Sequence, residues 1–159
     1  MAESQYLIQT TTDTRARSAT LLVSSVFLDH VITGSIDRTC RYLNPLTFLE
    51  ESVGQGHSRG VTTLAVSDCI QAQAPLICSG GRDGKLCLWA PRKANVLKTY
   101  TPQCPEVRSL SVFQHGSISY LILGTRDGKL LVYDTTTTKF IKKFVGHRST
   151  VLCSTVRYL

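Results

Sequence analysis

The chain has 159 residues, of which 42% are hydrophobic and 18% are charged, and this balance favours one folded domain over a disordered chain. No apolar run reaches the roughly 18–20 residues of a membrane-spanning helix. No basic segment followed by an apolar one stands at the N-terminus, so we expect neither a membrane segment nor a secretory signal. The formal net charge of +7 suits an acidic partner or nucleic acid, although many soluble proteins carry as much.

Six cysteines are spread over the chain, at positions 40, 69, 78, 87, 104 and 153. None belongs to a Cys-x-x-Cys pair and none lies at finger-like spacing from a histidine, so no zinc site is predicted. Without a secretory signal, the default is a reducing compartment in which these residues are free thiols. We therefore expect an intracellular protein, cytoplasmic or nuclear.

The predicted elements begin with QYLIQT (5–10), a lone outer strand within an N-terminal segment of residues 1–17. Beyond it, three stretches align without a gap: ITGSIDRTCRYLN (32–44), CSGGRDGKLCLWA (78–90) and LGTRDGKLLVYD (123–134). In each stretch a glycine stands three positions before an aspartate. The chain therefore contains an internal repeat with a period of about 45 residues.

Each repeat predicts a β-hairpin, because one apolar run rich in β-forming residues leads into the Gly–Asp cluster and another leaves it. Gly84 and Gly128 supply the positive φ that such turns require. Arg38 stands at the matching place in the first repeat, so we expect the first turn to differ. One further strand precedes each hairpin and one follows it, and no stretch holds a helical period over three turns. The pattern thus predicts four strands per repeat.

Four short strands per roughly 40–45 residues, with Gly56-His57 early and Trp89 late in the second repeat, resemble the WD40 repeat family. The resemblance implies an all-β fold of propeller blades, each made of four antiparallel strands. The first and third repeats lack the Gly-His pair, while Gly146-His147 opens a further unit. The predicted domain is a partial propeller over residues 18–159, with blades at about 18–55, 56–101 and 102–145 and the start of a fourth at 146–159.

A histidine, a serine and an aspartate of the second repeat raise the question of a catalytic triad. In the WD40 family the corresponding residues form a structural hydrogen-bond network with the tryptophan, and a buried carboxylate needs such donors. Carried onto this chain, the network consists of His57, Ser79, Asp83 and Trp89, with Asp37 and Asp127 as the turn aspartates of the neighbouring blades. The stretch SGGRDGKL (79–86) is one residue short of a P-loop and lacks its Ser or Thr. We therefore predict no catalytic residue, metal or cofactor.

The number of repeats leaves the predicted ring incomplete. WD40 rings usually close with about seven blades, within the general propeller range of about four to eight, whereas this sequence holds three blades and one strand of a fourth. Three explanations stay open: the chain is a piece of a longer propeller, it self-associates through open blade faces to close a ring, or it is an open arc.

The resemblance implies a non-catalytic scaffold or adaptor that holds other proteins within a multiprotein complex. Family partners often dock on the rim that carries the hairpin turns. Arginine on such a rim suits carboxylate or phosphate groups, so we expect acidic or phosphorylated partner segments. The predicted partner-binding residues are Ile36, Arg59, Arg82, Arg126 and Arg148.

Direct binding of RNA or DNA, alone or within a ribonucleoprotein complex, is the alternative function. It rests on the net charge and on two basic clusters, Arg92-Lys93 and Lys139 with Lys142-Lys143. Lysines on outer strands also keep sheet edges from pairing with one another, and the sequence indicates no aromatic platform for stacking bases beside these clusters.

Overall fold

The computed structural model describes residues 25–27, 30–44, 46–47, 49–67, 76–90, 96–115, 118–135, 137 and 139–154. Within these ranges the chain forms three four-stranded antiparallel sheets, which we name blades 1, 2 and 3 in chain order, and no helix. The predicted all-β fold of four-stranded blades is confirmed, and the described residues form no closed ring. Accordingly, no helix in the described ranges is long and apolar enough to cross a membrane. The strand predicted at residues 5–10, Cys69 and the Arg92-Lys93 cluster lie outside the described residues.

The strands of each blade pair in chain order, so every blade is a meander. Blade 1 consists of β1 (Ser25–Phe27), β2 (His30–Gly34), β3 (Thr39–Leu43) and β4 (Glu50–Gln55). Blade 2 consists of β5 (Val61–Ser67), β6 (Leu76–Gly81), β7 (Leu86–Trp89) and β8 (Val96–Tyr100). Blade 3 consists of β9 (Val107–His115), β10 (Ile118–Thr125), β11 (Lys129–Asp134) and β12 (Phe140–Val145).

Both faces of blade 2 are buried. Successive side chains of a strand point to opposite faces of its sheet, and all four residues of β7 are buried. Leu86 and Leu88 belong to the apolar core shared with blade 3, whereas Cys87 and Trp89 belong to the core shared with blade 1. Blade 2 therefore lies as a layer between its two neighbours, which explains why this strand reads as an unbroken apolar run.

A repeated contact between a valine and a glycine joins each blade to the strand that follows it. The valine sits so close that a Cβ atom added to the glycine would lie within 2.6–2.7 Å of a valine methyl carbon, and the pairs are Gly34–Val61, Gly80–Val107 and Gly124–Val151. All three valines are buried. Any larger side chain would separate the layers, so this packing accounts for the glycine that the sequence repeats three positions before each aspartate. Val151 makes on blade 3 the contact that Val107 makes on blade 2.

The outward face of blade 3 is apolar and open. Leu121, Leu123 and Leu131 pack against blade 2, so their strand neighbours Leu130 and Val132 point the other way. Cross-strand pairing with Leu130 places Phe144 on the same outward face. The equivalent residues of blade 2, which are Leu86, Leu88 and Tyr100, are buried by blade 3, whereas Leu130, Val132 and Phe144 remain partly exposed in the described structure.

All three hairpin turns have one conformation, so the expectation of a different first turn is wrong. Arg38 has a φ of 78°, close to the values of 71° for Gly84 and 80° for Gly128. The N–H of each of these residues donates to the carbonyl oxygen three positions earlier, at 3.1 Å for Arg38 and Gly84 and 3.3 Å for Gly128. The turn thus holds Arg38 in the left-handed region that disfavours a residue with a Cβ.

Replacing Arg38 by glycine should stabilise the fold. The left-handed conformation costs a non-glycine residue roughly 1–2 kcal/mol in the folded state. Glycine also makes the unfolded chain more flexible, and this offsets about 0.5–1 kcal/mol of the stabilisation. We expect Arg38→Gly to raise the free energy of unfolding by about 0.5–1 kcal/mol, measured as a higher urea midpoint with an unchanged slope.

The matched control is Arg82→Gly, which makes the same replacement in a turn residue without a positive φ. This variant should lose about 0.5–1 kcal/mol of stability. An equal loss in both variants would contradict the strained conformation of Arg38.

Candidate functional site

Four side chains of blade 2 form one connected hydrogen-bond network. Trp89 Nε1 donates to Ser79 Oγ at 2.8 Å, and Ser79 Oγ lies 2.7 Å from His57 Nε2. His57 Nδ1 lies 3.0 Å and 3.2 Å from the two carboxylate oxygens of Asp83. Because a carboxylate only accepts, His57 Nδ1 donates to Asp83. The hydrogen bonds therefore connect tryptophan, serine, histidine and aspartate in one chain that ends on the carboxylate.

The connectivity is that of a Ser-His-Asp triad, but the burial is not that of an active site. Ser79 is 0% exposed, as is the side chain of His57, so a substrate atom does not reach the serine hydroxyl. The oxygen of that hydroxyl is also engaged by Trp89. The arrangement instead fastens the loop at His57 to the hairpin turn at Asp83 and to the outgoing strand.

Asp83 is the acceptor on which the network ends. Its carboxylate also accepts from the backbone N–H of Ser58 at 2.8 Å and of Lys85 at 3.1 Å. Burial acts to raise the pKa of this carboxyl, but the hydrogen bonds from His57, Lys85 and Ser58 outweigh it and hold the pKa below its usual value. The charged form is therefore the one that the folded blade stabilises.

The turn aspartates of the other two blades are satisfied locally. Asp37 Oδ1 accepts from the N–H of Thr39 at 2.9 Å and from its hydroxyl at 2.6 Å. In blade 3, Leu123 stands where blade 2 has Ser79, and Asp127 instead accepts from the hydroxyl of Thr125 at 2.5 Å and pairs with Lys129. Within the described residues, the full four-member network is therefore a property of blade 2.

The hairpin turns and the loops between blades meet along one rim. Within blade 2, the loop at Ser58 bonds to the turn at Asp83. Between blades, a Cβ added to Gly60 would lie 3.1 Å from the Cα of Ile36, and Gly84 and Gly128 face the carbonyl oxygens of Cys104 and His147. The resulting order along the rim is 36–38, 56–60, 82–84, 103–106, 126–128 and 147–150.

All five predicted partner-binding residues lie on this rim, but they differ in what surrounds them. Ile36, Arg59 and Arg148 are exposed and Arg82 is half-buried, and the described residues give none of the three arginines a side-chain hydrogen bond or ion pair. Arg126 is different, because its Nη1 donates to Oε1 of Glu106 at 3.0 Å. Arg82 and Arg126 thus occupy matching positions in their turns, as the sequence predicts, but their side chains have different surroundings.

Glu106 is a buried acidic residue on the rim that the sequence pattern did not single out. Its side chain is 6% exposed and also lies 2.7 Å from Nη2 of Arg108. Its position could be found from the repeat, because Glu106 precedes Val107 as Gly60 precedes Val61. The alignment at this loop is hard to recognise because the third repeat lacks the Gly-His pair that marks the loop in the second repeat.

The described residues hold no group of three or more His, Cys, Asp or Glu side chains placed to bind a metal. The five cysteines in this part of the chain form no disulfide bond with one another. Burial raises the pKa of Cys40 to about 12 and the pKa values of Cys87 and Cys104 to about 11. These three thiols are therefore protonated and weakly nucleophilic at neutral pH.

A family model described as WD domain, G-beta repeat, matches residues 49–90, a range that contains all four members of the buried network. This chain contains a WD40 repeat. The p21-activated protein kinase-interacting protein 1-like protein of Danio rerio is 28% identical over 124 residues, which are 78% of this chain. Those residues are 32% of the relative, so the chain spans about a third of the length of this curated protein.

Solved structures resemble this chain in fold. The computationally designed Ika4 protein has a TM-score of 0.70 at 20% identity, over 91% of this chain and 84% of its own. U3-55K has a TM-score of 0.71 at 19% identity, over 86% of this chain and 43% of its own. At these identities the likeness concerns the fold alone.

Removing the serine hydroxyl should destabilise the WD40 blade. In Ser79→Ala both the indole N–H of Trp89 and Nε2 of His57 lose their buried partner, and each such loss costs about 1–3 kcal/mol. We expect the free energy of unfolding to fall by about 2–4 kcal/mol in urea titrations. Ser58→Ala is the matched control, because that exposed hydroxyl also contacts Asp83 at 3.3 Å and should contribute less than about 0.5 kcal/mol. Equal losses would contradict the network.

The network should also make stability depend on pH. The folded chain holds the pKa of Asp83 below its ordinary value. The charged carboxylate therefore stabilises the fold above that ordinary value, and this stabilisation is lost as the pH falls through the folded pKa. We expect Asp83→Asn to be less stable than the wild type at pH 7, with the gap narrowing below about pH 4. Asp37 and Asp127 titrate in both proteins and cancel in the difference. A gap that does not change with pH would contradict this reading.

Proposed function

We propose that this chain is a non-catalytic protein-interaction scaffold or adaptor and that it holds an acidic or phosphorylated partner segment on its rim. One observation carries the proposal: Arg59, Arg82 and Arg148 lie along the same rim with no acidic partner in the described part of the chain. The nearby carboxylates are engaged elsewhere, since Asp83 is bound by His57 and Glu106 by Arg126.

The chemistry of arginine favours such a ligand. A guanidinium group offers parallel N–H donors that match the two oxygens of a carboxylate or a phosphate, and these charge-assisted pairs are stronger than neutral hydrogen bonds. Several guanidinium groups along one rim would select a segment with several negative charges. Exposed Ile36 gives the same rim an apolar contact.

Two further observations support a protein as the partner. WD40 repeats are generally found in non-catalytic scaffolds, and the name of the Danio rerio relative describes a protein that interacts with a kinase. Self-association through the open apolar face of blade 3 stays a prediction, as do the intracellular location and the alternatives of a longer propeller and an open arc.

Binding of single-stranded nucleic acid is the second candidate, and one observation favours it. Phe140 and Phe144 on β12 are 51% and 47% exposed, and Lys142 lies over the ring of Phe144, 5.1 Å from its centre. Cross-strand pairing places Phe144 with Lys142 on the outward face of blade 3 and Phe140 beside Tyr133 on the opposite face. Aromatic rings beside basic groups suit stacked bases and phosphates. This candidate ranks second because Phe144 is the equivalent of Tyr100, which blade 2 buries against blade 3. A further blade packed on blade 3 would bury Phe144 in the same way.

Reversing charge on the rim should remove a partner without unfolding the chain. Tagged wild type and the variant Arg59→Glu with Arg82→Glu are used for affinity purification from cell extract, and the affinity of each enriched protein is then measured with purified components. We expect at least a tenfold loss of affinity in the variant, because charge-assisted hydrogen bonds contribute about 1.5–3 kcal/mol each. Arg126 is left unchanged because of its ion pair with Glu106.

The control variant carries Lys142→Glu with Lys143→Glu, which makes the same charge change on the outer strand. Equal binding by wild type and both variants would contradict a rim site. Binding of a labelled single-stranded RNA tests the second candidate function. Binding at low salt that is lost in the outer-strand variant would support nucleic-acid binding, and no binding by the wild type at low salt would contradict it.

A further inference from the structure

Blades 2 and 3 share one backbone hydrogen bond on the rim, beside the junction that each makes with the preceding blade, but they differ in one of its residues. The residue before the interface valine accepts this hydrogen bond from the arginine in the turn of its own blade. At the junction of blades 1 and 2, Arg82 N donates to Gly60 O at 2.9 Å. At the junction of blades 2 and 3, Arg126 N donates to Glu106 O at 3.1 Å. Gly60 therefore offers the arginine no side chain at the place where Glu106 offers a carboxylate.

The carboxylate of Glu106 is committed to its two arginines. Its Oε1 accepts a hydrogen bond from Arg126. Its Oε2 lies 2.7 Å from Nη2 of Arg108, an ion-pair contact without hydrogen-bond geometry. The side chain is 6% exposed, and a carboxylate withdrawn from water to this extent requires counter-charges. Although the side chain of Arg126 is itself 61% exposed, part of its donor capacity is already used.

The junction of blades 1 and 2 has the opposite balance. Arg82 and Arg59 flank Gly60, and Arg38 ends the adjoining turn. Its two aspartates are engaged: Asp83 is 4% exposed and bound by His57 and backbone groups, and Asp37 is bound by Thr39 and pairs with Arg41. Among the described residues, this junction thus presents guanidinium groups that no carboxylate neutralises.

We infer that Glu106 is an internal counter-ion that occupies Arg126 and thereby confines the anion site of the rim to the junction of blades 1 and 2, at Arg59 and Arg82. The ligand class is an oxyanion, carboxylate or phosphate, carried by a partner segment. This inference rests on the proposed function and assigns that function a place on the rim. Glu106 acts on the ligand through Arg126 and is a specificity-determining residue.

The test measures two fluorescein-labelled peptides by anisotropy at low salt, one of ten glutamates and one with two phosphoserines in an uncharged background. Arg82→Gln should weaken binding about fivefold or more, and Arg126→Gln less than about twofold. Glu106→Gln should strengthen binding about threefold or more by releasing Arg126. In the double variant Glu106→Gln with Arg126→Gln, the affinity should return to that of the wild type. The peptide that binds more tightly identifies the oxyanion.

The outcomes distinguish the role of Glu106 from the proposed binding site on the rim. Equal weakening by Arg82→Gln and Arg126→Gln would keep the rim as the binding site and overturn the role of Glu106. An unchanged affinity of folded Glu106→Gln would do the same. If that variant does not fold, the comparison of the two arginine variants still decides. Failure of the wild type to bind either peptide would overturn the proposed function and the inference together.

Discussion

Burial of both faces of a sheet is the constraint on which this structure depends. Blade 2 is stable as a layer only because blades 1 and 3 cover it, and that close approach requires a residue without a side chain where the valine of the next blade enters. The contact between the glycine of one blade and the valine of the next strand therefore sets the distance between neighbouring blades. Since interiors are close-packed, the rest of each interface follows from that distance.

The rim is a consequence of the same stacking. Because each hairpin turn adjoins the loop that enters the next blade, polar groups of two blades are brought together at every junction. Within blade 2, the loop before β5 also lies against the blade's own turn, and the buried chain of hydrogen bonds from Trp89 to Asp83 connects that loop, the turn and two strands. Blades 1 and 3 satisfy their turn aspartates with nearby threonines, and Lys129 supplies a further contact in blade 3. The same turn conformation is thus compatible with different hydrogen-bond partners for its aspartate.

Much of the fold could be predicted from the sequence, because the residues that set it recur at fixed places. Gly34, Gly80 and Gly124 mark the interfaces, and Gly84 and Gly128 mark the turns. The prediction of a different first turn was wrong because the surrounding hairpin, and not the preference of the residue itself, imposes the positive φ of Arg38. The pairing of Arg126 with Glu106 joins residues twenty positions apart, and nothing local to either one reveals it. The exposure of Phe140 and Phe144 likewise depends on which blade covers the outer strand, and a single sequence does not state that.

Arg59 and Arg82 lie on the loop and the turn of blade 2 that adjoin blade 1, and this position has a thermodynamic consequence. Local opening of a layered protein separates whole cooperative units, and the boundary between blades is where such units part. Gly60, which follows Arg59, packs against Ile36 of blade 1. A ligand that binds only while this loop is in place would therefore stabilise the closed arrangement of the two blades, by a free energy that grows with the logarithm of the ratio of ligand concentration to Kd. Ligand recognition and the mechanical cohesion of the first two blades would then be two readouts of one equilibrium.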